Sequence, residues 1–355
     1  MCRSEGTSNK VTNFENWLYY GMVNIGTPPQ VFTCHIDTGS TMIWVVQTGC
    51  QDCHKCNNTF TPSKSSTFST EFYPYNLTYL KGKTIGYIAY DTLSLGDASI
   101  NVTDQPFVLA IGEEDDDGYA SDGLIGFAFD SLEPGYPSFM TQLYIQGEIK
   151  HRTFALYLNK EGGDISSNLM IDGYDLKKYS KDKDFLYLNI YQQSGFWNLL
   201  NTQFSFGNTI LATYIPAVLD SGTSWIYAPE EIYESILDEF IGSSSCEMIS
   251  KQIQCLCDKK YPDFSWILNG HTFNISSESY FSKKQKIDGV NLCQFLLGKG
   301  SEDAWLLGDV FMRNFYINHD MDNLRIGIAE ARHSDNALRW IFEGWKLILI
   351  LIIAS

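Results

Sequence analysis

Two short segments carry the residues best suited to chemistry: DTGST at 37–41 and DSGTS at 220–224. In each, an aspartate closes an apolar, strand-like run (FTCHI at 32–36, IPAVL at 215–219) and is followed by a hydroxyl residue and a glycine. That order suits a carboxylate held in a tight loop. Gly39 and Gly222 let backbone approach closely and supply N–H donors, and Thr38 and Ser221 can hydrogen-bond within the loop. If the two loops face each other across a pseudo-twofold axis, Asp37 and Asp220 come within hydrogen-bonding distance, and two adjacent carboxyls do not both ionise cheaply. They then share one proton. The ionised partner takes a proton from a water between them as that water attacks an amide carbonyl, and the protonated partner donates to the carbonyl oxygen. No covalent intermediate is required. The pair titrates as a unit, so neither residue is permanently the acid or the base.

One D-[ST]-G triplet is expected by chance in roughly 20% of chains this long. Two copies with a shared downstream partner are a different matter. Gly126 of LIG (124–126) lies 89 residues after Asp37, and Gly308 of LLG (306–308) lies 88 after Asp220. The chain therefore reads as an internal duplication, with each half supplying one aspartate.

The elements that must position these loops are mainly strands. Segments such as YYGMVNIG (19–26), VFTCHID (31–37) and GYIAYDTLSLG (86–96) are short, β-rich and bounded by Gly, Pro, Asn or Asp. Two helices are expected: PSFMTQLYIQG (137–147), and PEEIYESILDEF (229–240), with Pro229 at a first helical position and Ile232, Ile236, Leu237 and Phe240 on one apolar face. The Lys- and Asp-rich stretch 177–184 interrupts the apolar pattern and marks the expected crossing between two halves.

Composition narrows the function classes. Of 355 residues, 44% are hydrophobic, with 22 Phe and 21 Tyr, enough apolar surface for a large core. A formal charge of −17 disfavours nucleic acid and anionic membrane surfaces as partners. The acidic run 113–118 lacks the ligand pattern of a calcium loop and reads as solvated. Nine cysteines cluster at 50–56 and 246–257. CQDCHKC, with His54 inside it, could hold zinc, but structural zinc normally gathers four ligands from two such pairs. Disulfides fit better, because sequons at Asn57, Asn76, Asn101 and Asn274 also point to an oxidising secretory route. No metal or cofactor is expected. The first ten residues lack the apolar core of a signal peptide, so either the start is missing or export uses another route. The apolar stretch 347–354 is too short to span a bilayer; preceded by Ser334, Asn336, Ala337 and a spacer, it resembles a GPI-attachment signal, with a frayed terminus as the plainer reading.

With NIGTPPQ (24–30), DTGSTMIWV (37–45), YDTLSLG (90–96), SDGLIGFA (121–128) and LLGDVFMRNFY (306–316) in order, the chain from about Val11 to Ala331 resembles the pepsin or cathepsin D-type aspartic proteases. Paired carboxyls sharing a proton are the established chemistry of that family. The resemblance implies an all-β, bilobal fold with a few short helices, a long cleft and a β-hairpin flap. The lobes are expected at 11–180, carrying Asp37 and the flap, and at 181–331, carrying Asp220, between a leftover segment 1–10 and a tail 332–355. It further implies that Tyr79 is the flap tyrosine and Trp44 its hydrogen-bonding partner, that Ser40 and Thr223 support the aspartates beside Thr38, Gly39, Ser221 and Gly222, and that Leu124 lines the substrate site. Family disulfides imply Cys50–Cys56 and one of Cys255 or Cys257 with Cys293, leaving Cys34 as a buried free thiol. His35 and Ser121 stand where apolar pocket residues are usual, and Lys81 where the flap tip is usually uncharged. These departures suggest a more polar pocket, unless His35 turns into the core with one satisfied hydrogen bond.

The expected activity is hydrolysis of extended polypeptides at acidic pH by a monomer in the secretory route, whether lysosomal, vacuolar, extracellular or tethered by its tail. A family prosegment would need several dozen residues before the mature-like start, where only about ten stand. Two other classes compete: an inactive homologue that binds peptides, which would usually have lost an Asp or loop Gly, and a cysteine-rich zinc protein, which leaves the duplicated loops unexplained.

Overall fold

The computed structural model describes residues 6–53, 56–79, 82–97, 99–114, 121–160, 165–241, 245–249, 252–287, 289–301 and 303–333. Lys81 and the tail from 334 onward lie outside them. Strands dominate, as the alternation of short β-branched and aromatic runs with turn residues predicts. The two expected helices are present at Phe139–Ile145 and Glu230–Ile241. The first starts at Ser138, whose side chain accepts from the Thr141 amide. The second buries Ile232, Ile236 and Phe240, with Leu237 packed at the edge of the same core.

The site is positioned by two small arrangements of identical topology. In the first half, Gln30–Asp37 runs parallel to Gly123–Gly126, which pairs antiparallel with Ile43–Val46, itself parallel to Asn101–Glu114. In the second half, Ala217–Leu219 runs parallel to Trp305–Leu307, which pairs antiparallel with Ile226–Ala228, itself parallel to Leu297–Lys299. The strand entering each aspartate and the strand leaving it therefore flank the LIG or LLG strand. That crossing explains the downstream glycines. A Cβ on Gly126 would stand 2.6 Å from the Ser40 carbonyl oxygen, and one on Gly308 would stand 2.1 Å from that of Thr223. No side chain fits either place.

The halves share a base. A 13-stranded sheet runs from Leu186–Asn189 through Arg325–Glu330, Phe315–Asp320 and Thr153–Tyr157 to Asn168–Ile171 and Thr7–Phe14, then on through the first-half strands to Ser69–Thr78 at its far edge. Strands after residue 181 thus continue a sheet begun by strands before it. Under this base, Trp197, Phe154 and Phe127 belong to one core cluster that also holds Trp266 and Trp305. Burying a side chain of this size contributes roughly 1.5–3 kcal/mol, so the shared core fixes the halves against each other.

Candidate active site

Asp37 ends its strand beside Gly126, and its carbonyl accepts the Phe127 amide at 2.7 Å. Asp220 follows Ala217–Leu219, and its amide donates to the Leu307 carbonyl at 3.3 Å. The two carboxyls are held alike. The Gly39 amide donates to Asp37 Oδ1 at 2.7 Å and the Gly222 amide to Asp220 Oδ1 at 2.8 Å. Ser40 Oγ donates to Asp37 Oδ2, and Thr223 Oγ1 to Asp220 Oδ2 at 2.6 Å. A second set of bonds joins the loops to each other. Thr38 Oγ1 accepts from the Ser221 amide (2.9 Å) and donates to the Leu219 carbonyl (3.1 Å). Ser221 Oγ accepts from the Thr38 amide (3.1 Å) and donates to the Ile36 carbonyl (2.8 Å). Thr38 and Ser40 are thus used in the same way as their counterparts Ser221 and Thr223.

The two carboxyls meet across these loops. A Cβ on Gly39 would stand 2.5 Å from Asp220 Oδ1, and one on Gly222 would stand 2.2 Å from Asp37 Oδ1. Each aspartate therefore reaches over the opposite loop's glycine. Burial raises the Asp37 pKa, the neighbouring Asp220 raises it further, and the bonds from Ser40 and Gly39 only partly offset this. One proton on the pair at acidic pH follows. Asp309 stands inside LLGDVFMRNFY, a motif that by itself gives it no role. It is fully buried, neither carboxyl oxygen has a hydrogen-bond partner among the described residues, and burial raises its pKa well above the ordinary value, against the opposing pull of Arg313. Both dyad aspartates push in the same direction as burial. The signal was available in the asymmetry between LIGF and LLGD.

Ser69–Thr78 and Lys83–Leu95 form an antiparallel hairpin, closed where the Tyr79 amide donates to the Gly82 carbonyl at 3.1 Å. Tyr79 packs on a small apolar cluster that contains Trp44, Leu124, Leu77, Ile88 and Val108. Leu124 is the register partner of both His35 and Trp44. The structure thus brings Tyr79, Trp44 and Leu124 together beside the dyad strand, with His35 on it. His35 and Ser121 are each 1% exposed. The Ser121 hydroxyl donates to the Gly123 carbonyl at 3.1 Å. Burial lowers the His35 pKa to about 4; the Ser221 main chain opposes this slightly, although neither ring nitrogen makes a hydrogen bond of normal geometry. His35 does turn into the core, but without the satisfied bond that this alternative required.

The family described as eukaryotic aspartyl protease matches residues 18–331. The chain belongs to that family. It is 32% identical to rabbit (Oryctolagus cuniculus) gastricsin over 88% of this chain and 81% of the relative, and 30% identical to chicken (Gallus gallus) pepsin A over 90% and 86%. Human (Homo sapiens) gastricsin is 30% identical over 88% and 81%. As a member of this family it is an aspartic endopeptidase, a hydrolase acting on peptide bonds.

The cysteines correct one expectation. Cys50 pairs with Cys53, not Cys56, at a Cα separation of 5.7 Å, and Cys56 is a free thiol. The reason lies in the residues that follow: the amides of Asn57 and Asn58 both donate to Asp122 Oδ1, at 2.7 and 2.8 Å, committing the chain after Cys56 to that buried carboxylate. Cys293 pairs with Cys257, one of the two expected partners, and Cys246 pairs with Cys255, its opposite number on the adjacent strand. Cys34 is a buried free thiol, as expected. All four sequon asparagines, Asn57, Asn76, Asn101 and Asn274, are exposed.

Proposed function

We propose that Asp37 and Asp220 are the catalytic pair and that they activate a single water for attack on a peptide carbonyl at acidic pH. The matched loops carry this reading: each carboxyl is held by a glycine amide and a hydroxyl, and each faces the other. Donors on both oxygens of each carboxyl fix the carboxyl planes, and the shared proton leaves one group to accept from water while the other donates to the carbonyl oxygen. Thr38 and Ser221 hold the loops in register; Gly39, Ser40, Gly222 and Thr223 hold the carboxyls. Tyr79, backed by Trp44, closes the hairpin over an extended polypeptide, and Leu124 contributes to the wall of the adjacent pocket, with His35 buried behind it. The lobes are 11–180 and 181–331. The three disulfides and four exposed sequons support a secretory destination, lysosomal, vacuolar or extracellular. No described helix is long and apolar enough to cross a membrane, and the tail that suggests a GPI signal lies outside the described residues.

The test is digestion of an unfolded protein between about pH 3 and 6 in ¹⁸O-labelled water. Internal fragments whose new carboxyl ends carry solvent oxygen support the mechanism. Capture of an acyl-enzyme by an added amine would overturn it. Profiling with a peptide library reads the pocket in the same experiment: an unaltered preference for Leu and Phe would remove the polar-pocket reading of His35 and Ser121.

A further inference from the structure

The outer arm of the flap hairpin alternates cleanly. Tyr75, Leu77 and Tyr79 turn onto the apolar cluster around Trp44, Ile88, Val108 and Leu124, while Asn76 and Thr78 are exposed. This arm is the last strand of the 13-stranded sheet, so only one of its edges is paired, and its register with the inner arm breaks between Thr70 and Pro74. Two weaknesses in one strand leave the end bearing Tyr79 needing another support.

Tyr75 supplies one. Its hydroxyl donates to Glu133 Oε2, and its ring meets Tyr136 edge-on at 5.3 Å between centroids. Both partners belong to the loop that follows Gly123–Gly126, the strand lying against Asp37. That loop is itself firmly held. Thr41 Oγ1 donates to the Phe129 carbonyl at 2.9 Å, and Asp130 accepts the Ser138 amide at 2.7 Å and the Thr141 hydroxyl at 2.6 Å. Burial and the neighbouring Glu133 raise the Tyr75 pKa, which keeps the phenol protonated and a donor. Glu133 is therefore a fixed point continuous with the dyad loops, and Tyr75 is where the hairpin attaches to it.

We propose that Tyr75 and Glu133 are positioning residues for the reaction, a phenol–carboxylate latch that ties the flap arm to the dyad's own scaffold and so sets where Tyr79, four residues on, stands over the substrate. This rests on the reading of Tyr79 as the flap residue. The latch acts on chemistry through Tyr79, so its loss falls on kcat while KM changes little.

The test measures kcat and KM on one internally quenched peptide, with concentrations normalised by active-site titration, for Tyr75→Phe, Glu133→Ala, their double variant, Glu133→Gln and Tyr79→Ala. Tyr75→Phe keeps the ring and its contact with Tyr136, and Glu133→Gln keeps an acceptor oxygen. The expected result is a fall in kcat of about three- to tenfold for Tyr75→Phe and for Glu133→Ala. The double variant should be no worse than the poorer single, and Glu133→Gln should stand within about twofold of wild type. Losses that multiply in the double variant, or a Glu133→Gln as poor as Glu133→Ala, overturn the latch. So does wild-type kcat in Tyr75→Phe when Tyr79→Ala is impaired, and the flap reading then stands alone. Wild-type kinetics for Tyr79→Ala would instead remove the flap reading, and the latch with it.

Discussion

Replacing Thr38 by Val tests the joint between the two halves with almost no change of shape. Thr38 and Ser221 are both fully buried. The lost hydroxyl leaves the Ser221 amide, now bonded at 2.9 Å, and the Leu219 carbonyl, at 3.1 Å, without that partner and out of reach of water. An orphaned buried donor costs about 1–3 kcal/mol, and a carbonyl with a second lone pair somewhat less. The expected loss of unfolding free energy is therefore about 2–4 kcal/mol. Because the same bonds set the distance between the aspartate loops, kcat should also fall about ten- to a hundredfold, the penalty typical of a reacting group displaced by about 1 Å. Thr38→Ser, which keeps the oxygen, separates hydroxyl from methyl. Urea unfolding and peptide hydrolysis on the two variants supply both readouts. If Thr38→Val unfolds within about 0.5 kcal/mol of wild type, the cross-loop bonds do not join the halves as argued.

Gly222→Ala places a Cβ 2.2 Å from Asp37 Oδ1; hydrolysis should drop by at least about a hundredfold while the circular dichroism spectrum is kept, and an active Gly222→Ala enzyme would mean that the carboxyls do not meet as described. Two buried groups pull stability in opposite directions between about pH 4 and 6.5. Unfolded His35 binds protons below about 6.5 and the folded residue resists until about 4, so stability drops as pH falls through that window. Asp37, with its raised pKa, supplies stability that is full below 3.8 and lost as pH rises towards its folded value. His35→Leu should gain on wild type by up to roughly 3 kcal/mol as pH falls from 7 to 4, and urea midpoints over that range that run parallel to wild type would count against it. Peptide mapping without reduction should recover Cys50–Cys53, Cys246–Cys255 and Cys257–Cys293 with Cys56 open to alkylation in the folded protein; a recovered Cys50–Cys56 peptide would reverse that assignment.

What could be read from the sequence was set by how local the physics is. Asp37 and Asp220 were legible because each loop is complete within five residues, and the LIG and LLG glycines because the crossing strands need a bare Cα at one fixed place. The helices at Phe139–Ile145 and Glu230–Ile241 announced themselves through their apolar faces, the second also through Pro229. The choice between Cys53 and Cys56 could not be read, since three thiols within seven residues are all in reach of one another and the decision came from Asp122, far along the chain. Tyr75 and Glu133, 58 residues apart, carry no motif at all. Asp309 stands inside LLGDVFMRNFY, yet only the fold shows it buried and within the electrostatic reach of both aspartates.

The dyad itself is tested most directly by comparing Asp37→Asn, Asp220→Asn and the double variant with wild type on one peptide across the acidic range. If the two carboxyls act as one proton-sharing unit, each single variant should lose almost all activity and the double should be scarcely worse than either. Wild-type hydrolysis by either single variant would contradict the account.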